Sequence, residues 1–91
     1  MKKRTGILTK IATATTVFYG TGTLTSSVNL LCKESSGTYR NVYASKSDSA
    51  VVGISATAVR KETSWKTEYA DGIHTIVAQG HRVTGTTRAS R

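Results

Sequence analysis

Polar and apolar residues alternate over residues 63–80, TSWKTEYADGIHTIVAQG, on both sides of Asp71-Gly72. Alternation with period two is typical of a strand, and an Asp-Gly dipeptide accepts the positive φ angles of a tight type I′ turn. The pattern therefore predicts a β-hairpin with Asp71-Gly72 as its loop and Tyr69 paired with His74. The apolar, core-facing side of that hairpin would carry Trp65, Thr67, Tyr69, His74, Ile76 and Ala78.

A second strand is predicted over residues 49–59, SAVVGISATAV. The even-numbered positions from Ala50 to Ala58 are all apolar, as expected of a strand with one buried face. Its β-branched residues lose rotamer freedom in a helix, so the alanine content does not favour the helical alternative. Gly53 indicates a bulge or a close backbone contact in the middle of this strand.

The remaining segments also favour extended chain. Residues 39–43 are predicted to form a short strand, and residues 81–91 a last edge strand with exposed arginines that oppose edge-to-edge aggregation. Proline is absent, so strand pairing is nowhere blocked by a missing N–H. The predicted fold is all-β, a small antiparallel sheet or β-sandwich built on hairpins, and the sequence leaves open whether there are one or two sheets.

Residues 1–44 have the order of a secretory leader. A basic start, Met1 to Arg4, precedes a threonine-rich apolar stretch, and Val42-Tyr43-Ala44 provides the small residues of a cleavage site. We therefore predict a leader and polar linker over residues 1–44, followed by a β domain over residues 45–91, and a secreted protein. A cleavage site nearer residues 23–27 is one alternative, and a strand or helix of the mature N-terminus is another.

The charge balance indicates an anionic partner. The chain carries a formal charge of +8 and has a pI of about 10.1. Nucleic acid, an acidic membrane surface and an anionic cell-wall component all match that balance. Removal of residues 1–44 would leave seven Lys or Arg against four Asp or Glu, a net charge of +3.

Aromatic residues interleaved with cations form the candidate binding site. Aromatic rings stack on planar groups, and adjacent cations attract anions, so the set is suited to nucleic-acid bases or to an anionic head group. The alternative is that the two aromatic residues are core anchors of a small sheet. The candidate residues are Arg60, Lys61, Trp65, Lys66, Tyr69, Arg82 and Arg88.

No motif for catalysis, a cofactor or a metal is present. His74 and His81 have opposite parity on a strand, and Cys32 is the single cysteine, so neither zinc ligation nor an internal disulfide is predicted. The carboxylates are scattered rather than paired, and no serine lies in a nucleophile elbow. We therefore predict a non-enzymatic protein without a cofactor.

Three segments of the second half resemble the lactococcin 972 family of bacteriocins: residues 45–52, SKSDSAVV, residues 70–75, ADGIHT, and residues 81–86, HRVTGT. The resemblance covers about residues 39–91 as a match in spacing. It implies a small β-sandwich released behind a signal peptide, with an antimicrobial action on a cell-wall precursor. The position of the family's hairpin tryptophan holds Ile73-His74 in this chain.

Two functional hypotheses follow from the sequence. The first is a small secreted bacteriocin-like protein that binds an anionic cell-wall precursor or membrane surface. The alternative is an intracellular basic β module that binds nucleic acid or forms a structural assembly through its sheet edges. Pairing of two copies as a homodimer is compatible with either hypothesis.

Overall fold

The computed structural model describes residues 2–8, 11–49, 52–60, 64–78 and 80–90. Within these ranges the chain forms seven strands and no helix, which confirms the all-β prediction. The strands are β1 (Lys2–Leu8), β2 (Ile11–Val17), β3 (Thr23–Lys33), β4 (Tyr39–Ser49), β5 (Gly53–Val59), β6 (Lys66–Ala78) and β7 (His81–Ser90).

The strands form two sheets that pack face to face. The first has the order β1-β2-β5 and the second the order β4-β3-β6-β7, and all neighbouring strands are antiparallel. Burial alternates along β2 and β5, as the period-two pattern requires. The inward positions Ile54, Ala56 and Ala58 are those predicted from the sequence. Val52, predicted on the same face, is 54% exposed because it precedes the start of β5, and Ala50 and Val51 lie outside the described residues.

The core is built largely from small side chains. Ala12 and Ala14 of β2 and Ala56 and Ala58 of β5 present a nearly flat surface to the second sheet, where they meet larger residues such as Leu30. Small residues on one sheet let the facing side chains fill the space between the sheets at the density of a protein interior. A second cluster at one end joins Leu24, Ile54 and Ile76, with Phe18 and Ala78 packed against it.

The predicted turn at Asp71-Gly72 is wrong, because β6 runs straight through it. Asp71 pairs with Asn29 and Gly72 with Val28 on β3, while β7 pairs with the other side of β6. The turn instead joins β6 to β7, where Ala78 pairs with His81 and Gly80 has a φ of +77°.

The faces of β6 change with this correction. In the predicted hairpin Tyr69 and His74 would share a face, but in one continuous strand their odd and even positions place them on opposite faces. His74 and Ile76 are buried, as predicted, whereas Tyr69 lies on the outer face. The predicted contact between Tyr69 and His74 is therefore wrong.

Residues before position 45 supply much of the sandwich. They form β1, β2, β3 and the first half of β4, and they include the buried Leu24, Val28 and Leu30. The predicted boundary between residues 44 and 45 lies inside β4, and the segment predicted as a linker forms the β3–β4 hairpin, with Gly37 at a φ of +94°. Cleavage of a leader stays a prediction, and cleavage after residue 44 would remove three complete strands.

We expect Gly80→Ala to lower the free energy of unfolding by about 1 kcal/mol, because an L side chain is strained at positive φ. Gly6→Ala is the matched control, since an added Cβ there meets no atom within 4 Å and no positive φ is involved. Denaturant unfolding of both variants measures the difference. Equal stability of Gly80→Ala and wild type would contradict the position of the turn.

Candidate functional site

The first and last strands meet at one side of the sandwich and form a positively charged edge. β1 ends the three-stranded sheet and β7 ends the four-stranded sheet, and the two strands face each other, with Thr5 hydrogen-bonded to Thr87. Together they carry five Lys or Arg and no Asp or Glu. We call β1 and β7 together the cationic edge.

Gly85 allows Lys3 to lie across this edge. Lys3 lies on the inward side of β1, where it pairs with the buried Thr16, yet it remains exposed at the rim between the two sheets. Its side chain passes directly over Gly85 of β7, where an added Cβ would lie only 2.7 Å from the Lys3 Cδ atom. Real Cβ contacts are essentially never that short, so the position of the Lys3 side chain depends on glycine at residue 85.

The cations of the edge differ in their partners. Arg88 donates from Nε to Asp71 Oδ1 at 2.6 Å and from Nη2 to Asp71 Oδ2 at 3.1 Å, and its guanidinium lies 4.1 Å from the Tyr69 ring centroid. The hydrogen bond with Asp71 raises the pKa of Arg88. By contrast, Lys3, Arg4 and Arg82 are exposed and form no ion pair with any other described residue. Among the cations of the edge whose side chains the structure describes, these three carry the uncompensated charge.

A chain of hydrogen bonds leads from the edge into the interior. His74 is fully buried; its Nε2 atom lies 2.7 Å from Thr87 Oγ1 and its Nδ1 atom 2.8 Å from Thr16 Oγ1. Thr87 continues the chain to Thr5, and Thr16 donates to the Thr25 carbonyl at 3.4 Å. The chain joins β1, β7, β6, β2 and β3, and therefore ties the two sheets together.

One arrangement of protons satisfies every hydroxyl in this chain. If Thr16 donates to the Thr25 carbonyl, it accepts from the His74 Nδ1–H, and His74 Nε2 then accepts from Thr87. Thr87 in turn accepts from Thr5. A neutral imidazole with its proton on Nδ1 fits these bonds, and each ring nitrogen is occupied.

Burial lowers the pKa of His74, and the positive charge of Lys3 lowers it further. A backbone hydrogen bond with Thr15 acts in the opposite direction. The neutral form is therefore the stable one in the folded protein, which agrees with the hydrogen-bond arrangement. His74 has a structural role here, joining the interior to the cationic edge.

Gly72 makes room for this chain rather than for a turn. A Cβ at position 72 would lie 2.9 Å from His74 Nε2 and 3.0 Å from Thr87 Oγ1, and it would clash with Thr5 Oγ1. The sequence pattern assigned Gly72 to a turn, which is wrong, and the glycine is instead required by close packing against a buried polar group.

The structure does not bring the six described residues of the predicted binding set into one site. Tyr69 and Arg88 lie together on the outer face of the four-stranded sheet. Arg82 lies on the same face of β7 but six residues away, about 20 Å along the strand.

The other described candidates lie near the end of the sandwich opposite to Arg82. Trp65 is half-buried against the main core cluster, and the exposed Lys66 pairs in register with Lys33. Arg60 lies close enough to Cys32 to oppose the effect of burial, which raises the pKa of that thiol. The Arg60 Nε atom is buried and has no hydrogen-bond partner among the described residues. Lys61 lies outside the described residues.

Sequence reasoning missed Lys3, Arg4 and the threonines that are hydrogen-bonded around His74. The two cations belong to a basic N-terminus that reads as a leader, so they were not assigned to the folded domain. The signal that could have found them is the alternation of Lys3, Thr5 and Ile7 on one side of a potential strand.

Comparison with protein families, with curated proteins and with solved structures finds no match to this chain. The resemblance to the lactococcin 972 family therefore stays a prediction. The described residues contain no helix long and apolar enough to cross a membrane. The same part of the chain contains no group of three or more His, Cys, Asp or Glu that could hold a metal ion.

We expect acid to destabilise the fold through His74. Its folded pKa is lowered, so the unfolded chain binds the proton more readily, and this contribution to stability is complete only above the unfolded value of about 6.5. The free energy of unfolding should fall as the pH drops below about 6.5, with a slope of at most about 1.4 kcal/mol per pH unit for one proton.

Denaturant unfolding between pH 7.5 and 5 measures this dependence. His74→Gln should flatten it, while the control His81→Gln, at an exposed position, should retain the wild-type slope. A wild-type slope in His74→Gln would show that His74 is not its source.

Proposed function

We propose that this chain is a small, secreted, non-enzymatic protein of the bacteriocin type that binds an anionic target of the cell envelope. The target class is a cell-wall precursor or an acidic membrane surface. The observation that carries the proposal is the cationic edge, where Lys3, Arg4 and Arg82 are exposed and unpaired among the described residues.

The shape of the edge favours an extended partner. Arg82 and Arg88 alone span about 20 Å along β7, and β1 runs beside that strand. Cations that flank one edge of the sandwich on both of its outer faces attract a charged surface or polymer more strongly than a single cation would. Each Lys or Arg near an acidic membrane contributes about 1 kcal/mol, so three free cations are a substantial part of a binding free energy.

The environment of His74 supports a binding role over a catalytic one. A general acid or base must reach a substrate, yet His74 is fully buried and both ring nitrogens are hydrogen-bonded to threonine hydroxyls. Its contribution is to hold β7 and β1 together, which keeps the cations of the edge in place.

The binding form in this proposal is the one that retains β1. Lys3 and Arg4 are part of that strand, and cleavage after residue 44 would remove them together with β2 and β3. A leader cleaved after residue 44 and a cationic edge that includes β1 cannot both belong to the mature chain. The mass of the native protein distinguishes the two.

We expect a chain of residues 45–91 alone to remain unfolded. It would lose the inner strands β2 and β3, which carry Ala12, Ala14, Leu24 and Leu30 of the core. Circular dichroism and the dispersion of amide NMR signals test this against the full chain, with the intact mass of native material measured in parallel. Cooperative unfolding of the 45–91 chain would show instead that residues 1–44 are dispensable.

Removal of three charges from the cationic edge should weaken binding to acidic vesicles roughly 100-fold, since each cation contributes about 1 kcal/mol. The variant is Lys3→Gln, Arg4→Gln and Arg82→Gln. The matched control, Arg40→Gln, Lys46→Gln and Lys66→Gln, has the same net charge but changes exposed cations on β4 and β6. Cosedimentation with phosphatidylglycerol vesicles, and with neutral vesicles as a reference, gives the affinities.

The pattern of losses decides between the hypotheses. A loss confined to the edge variant supports the proposal, and equal losses in both variants would contradict a specific edge. Tighter binding to RNA or DNA than to vesicles, weakening steeply with salt, would favour the nucleic-acid alternative.

A further inference from the structure

A strip of aromatic and amide side chains lies on the edge of the sheet farthest from the cationic edge. Tyr39, Asn41 and Tyr43 alternate on the outer face of β4, which is the terminal strand opposite β7. The two tyrosines are 54% and 64% exposed. We call these three residues the tyrosine strip.

The two rings of the strip are held at a defined separation. Tyr39 and Tyr43 are four residues apart on one strand, which is about 13 Å. Hydrogen bonding with Ser27 and Ser45 lowers the pKa of Tyr43. At Tyr39 the Lys33 Nζ atom lies 5.7 Å from the ring centroid. The rings are therefore restrained by neighbours while much of their surface faces solvent.

The amides between the rings have unused hydrogen-bonding capacity. Asn29 Nδ2 donates to Asn41 Oδ1 at 2.8 Å, so the pair is ordered. An asparagine amide has two donor hydrogens and one acceptor oxygen, and this single bond leaves the Asn41 NH₂ and the Asn29 carbonyl without a partner among the described residues. Together they offer a donor and an acceptor side by side.

The strip itself has no acidic or basic side chain, and Lys33 is the cation that lies over Tyr39 at one end of it. Asp71, in the same row of the sheet as Tyr43, is neutralised by Arg88. An uncharged row of ring, amide and ring matches a ligand that presents C–H faces and hydroxyl groups in alternation. A protein partner would instead require apolar anchors in a pocket, and the apolar residues of β4, Val42 and Ala44, point inward.

We propose that the tyrosine strip binds a linear saccharide chain of N-acetylated hexose units. The sugar rings would stack on Tyr39 and Tyr43, and the Asn41 and Asn29 amides would bond the acetamido and hydroxyl groups between them. The strip is independent of the cationic edge, so the two sites can be tested separately.

The probe is the hexamer of β-1,4-linked N-acetylglucosamine, followed by amide NMR titration of the full chain. Shifts should be confined to β4 and the facing part of β3. Tyr43→Ala and Tyr39→Ala should each weaken binding roughly tenfold through loss of a stacked ring. The matched control, Tyr19→Ala, removes a tyrosine that is 78% exposed but lies outside the strip, and it should bind as wild type.

Further variants separate the components of the site. Tyr43→Phe keeps the ring and should retain most of the affinity for the hexamer. Weak binding by Tyr43→Ala together with strong binding by Tyr43→Phe would show that the alanine variant has lost the stacked ring. Asn41→Ala should remove the preference for the acetamido sugar over the matching glucose hexamer. Equal binding of the two hexamers by wild type would contradict the acetamido assignment.

Two results would overturn the proposal: no shifts with millimolar hexamer, or an unchanged affinity in Tyr43→Ala. The test is distinguishable from that of the proposed function. The triple glutamine variant of the cationic edge should bind the hexamer as wild type, and Tyr43→Ala should bind acidic vesicles as wild type.

Discussion

The contact between the alanine face of β2 and β5 and the second sheet is the constraint on which the structure depends. Ala12, Ala14, Ala56 and Ala58 contribute little apolar area each, so the core is effective only if the facing leucine and valine residues fit closely against them. A shift of either strand by one residue would exchange this face for Thr13, Thr15, Ser55 and Thr57. The core of this chain therefore packs closely only when β2 and β5 are in the native register.

The buried polar chain adds a directional element to that packing. Apolar contacts between two flat sheets tolerate sliding, whereas the bonds from His74 to Thr16 and Thr87 require fixed positions on three strands. The same imidazole lies close enough to Lys3 for the positive charge of the lysine to oppose protonation of the ring. The positive charge at the cationic edge thus helps to keep the interior histidine neutral at neutral pH.

Much of the fold could be predicted from the sequence, but less of the candidate site. Period-two alternation correctly identified the strand around Ile54, Ala56 and Ala58, because one face of it is buried. The same rule could not distinguish one long strand from a hairpin at Asp71-Gly72, since the choice depends on pairing with β3 and β7, which is non-local. For the same reason Arg82 and Arg88 could be named as candidates from the sequence. Their separation and the approach of β1 to β7 could not be predicted from it.

Gly85 determines where the charge of Lys3 lies, because the lysine side chain crosses the space that a Cβ at residue 85 would fill. A larger side chain at position 85 would occupy the space of the Lys3 side chain, and the flexible end of that lysine would then move aside at little cost. The two positions are 82 residues apart, so no local rule connects them. The glycine therefore affects where one surface charge is placed, and not whether the sandwich folds.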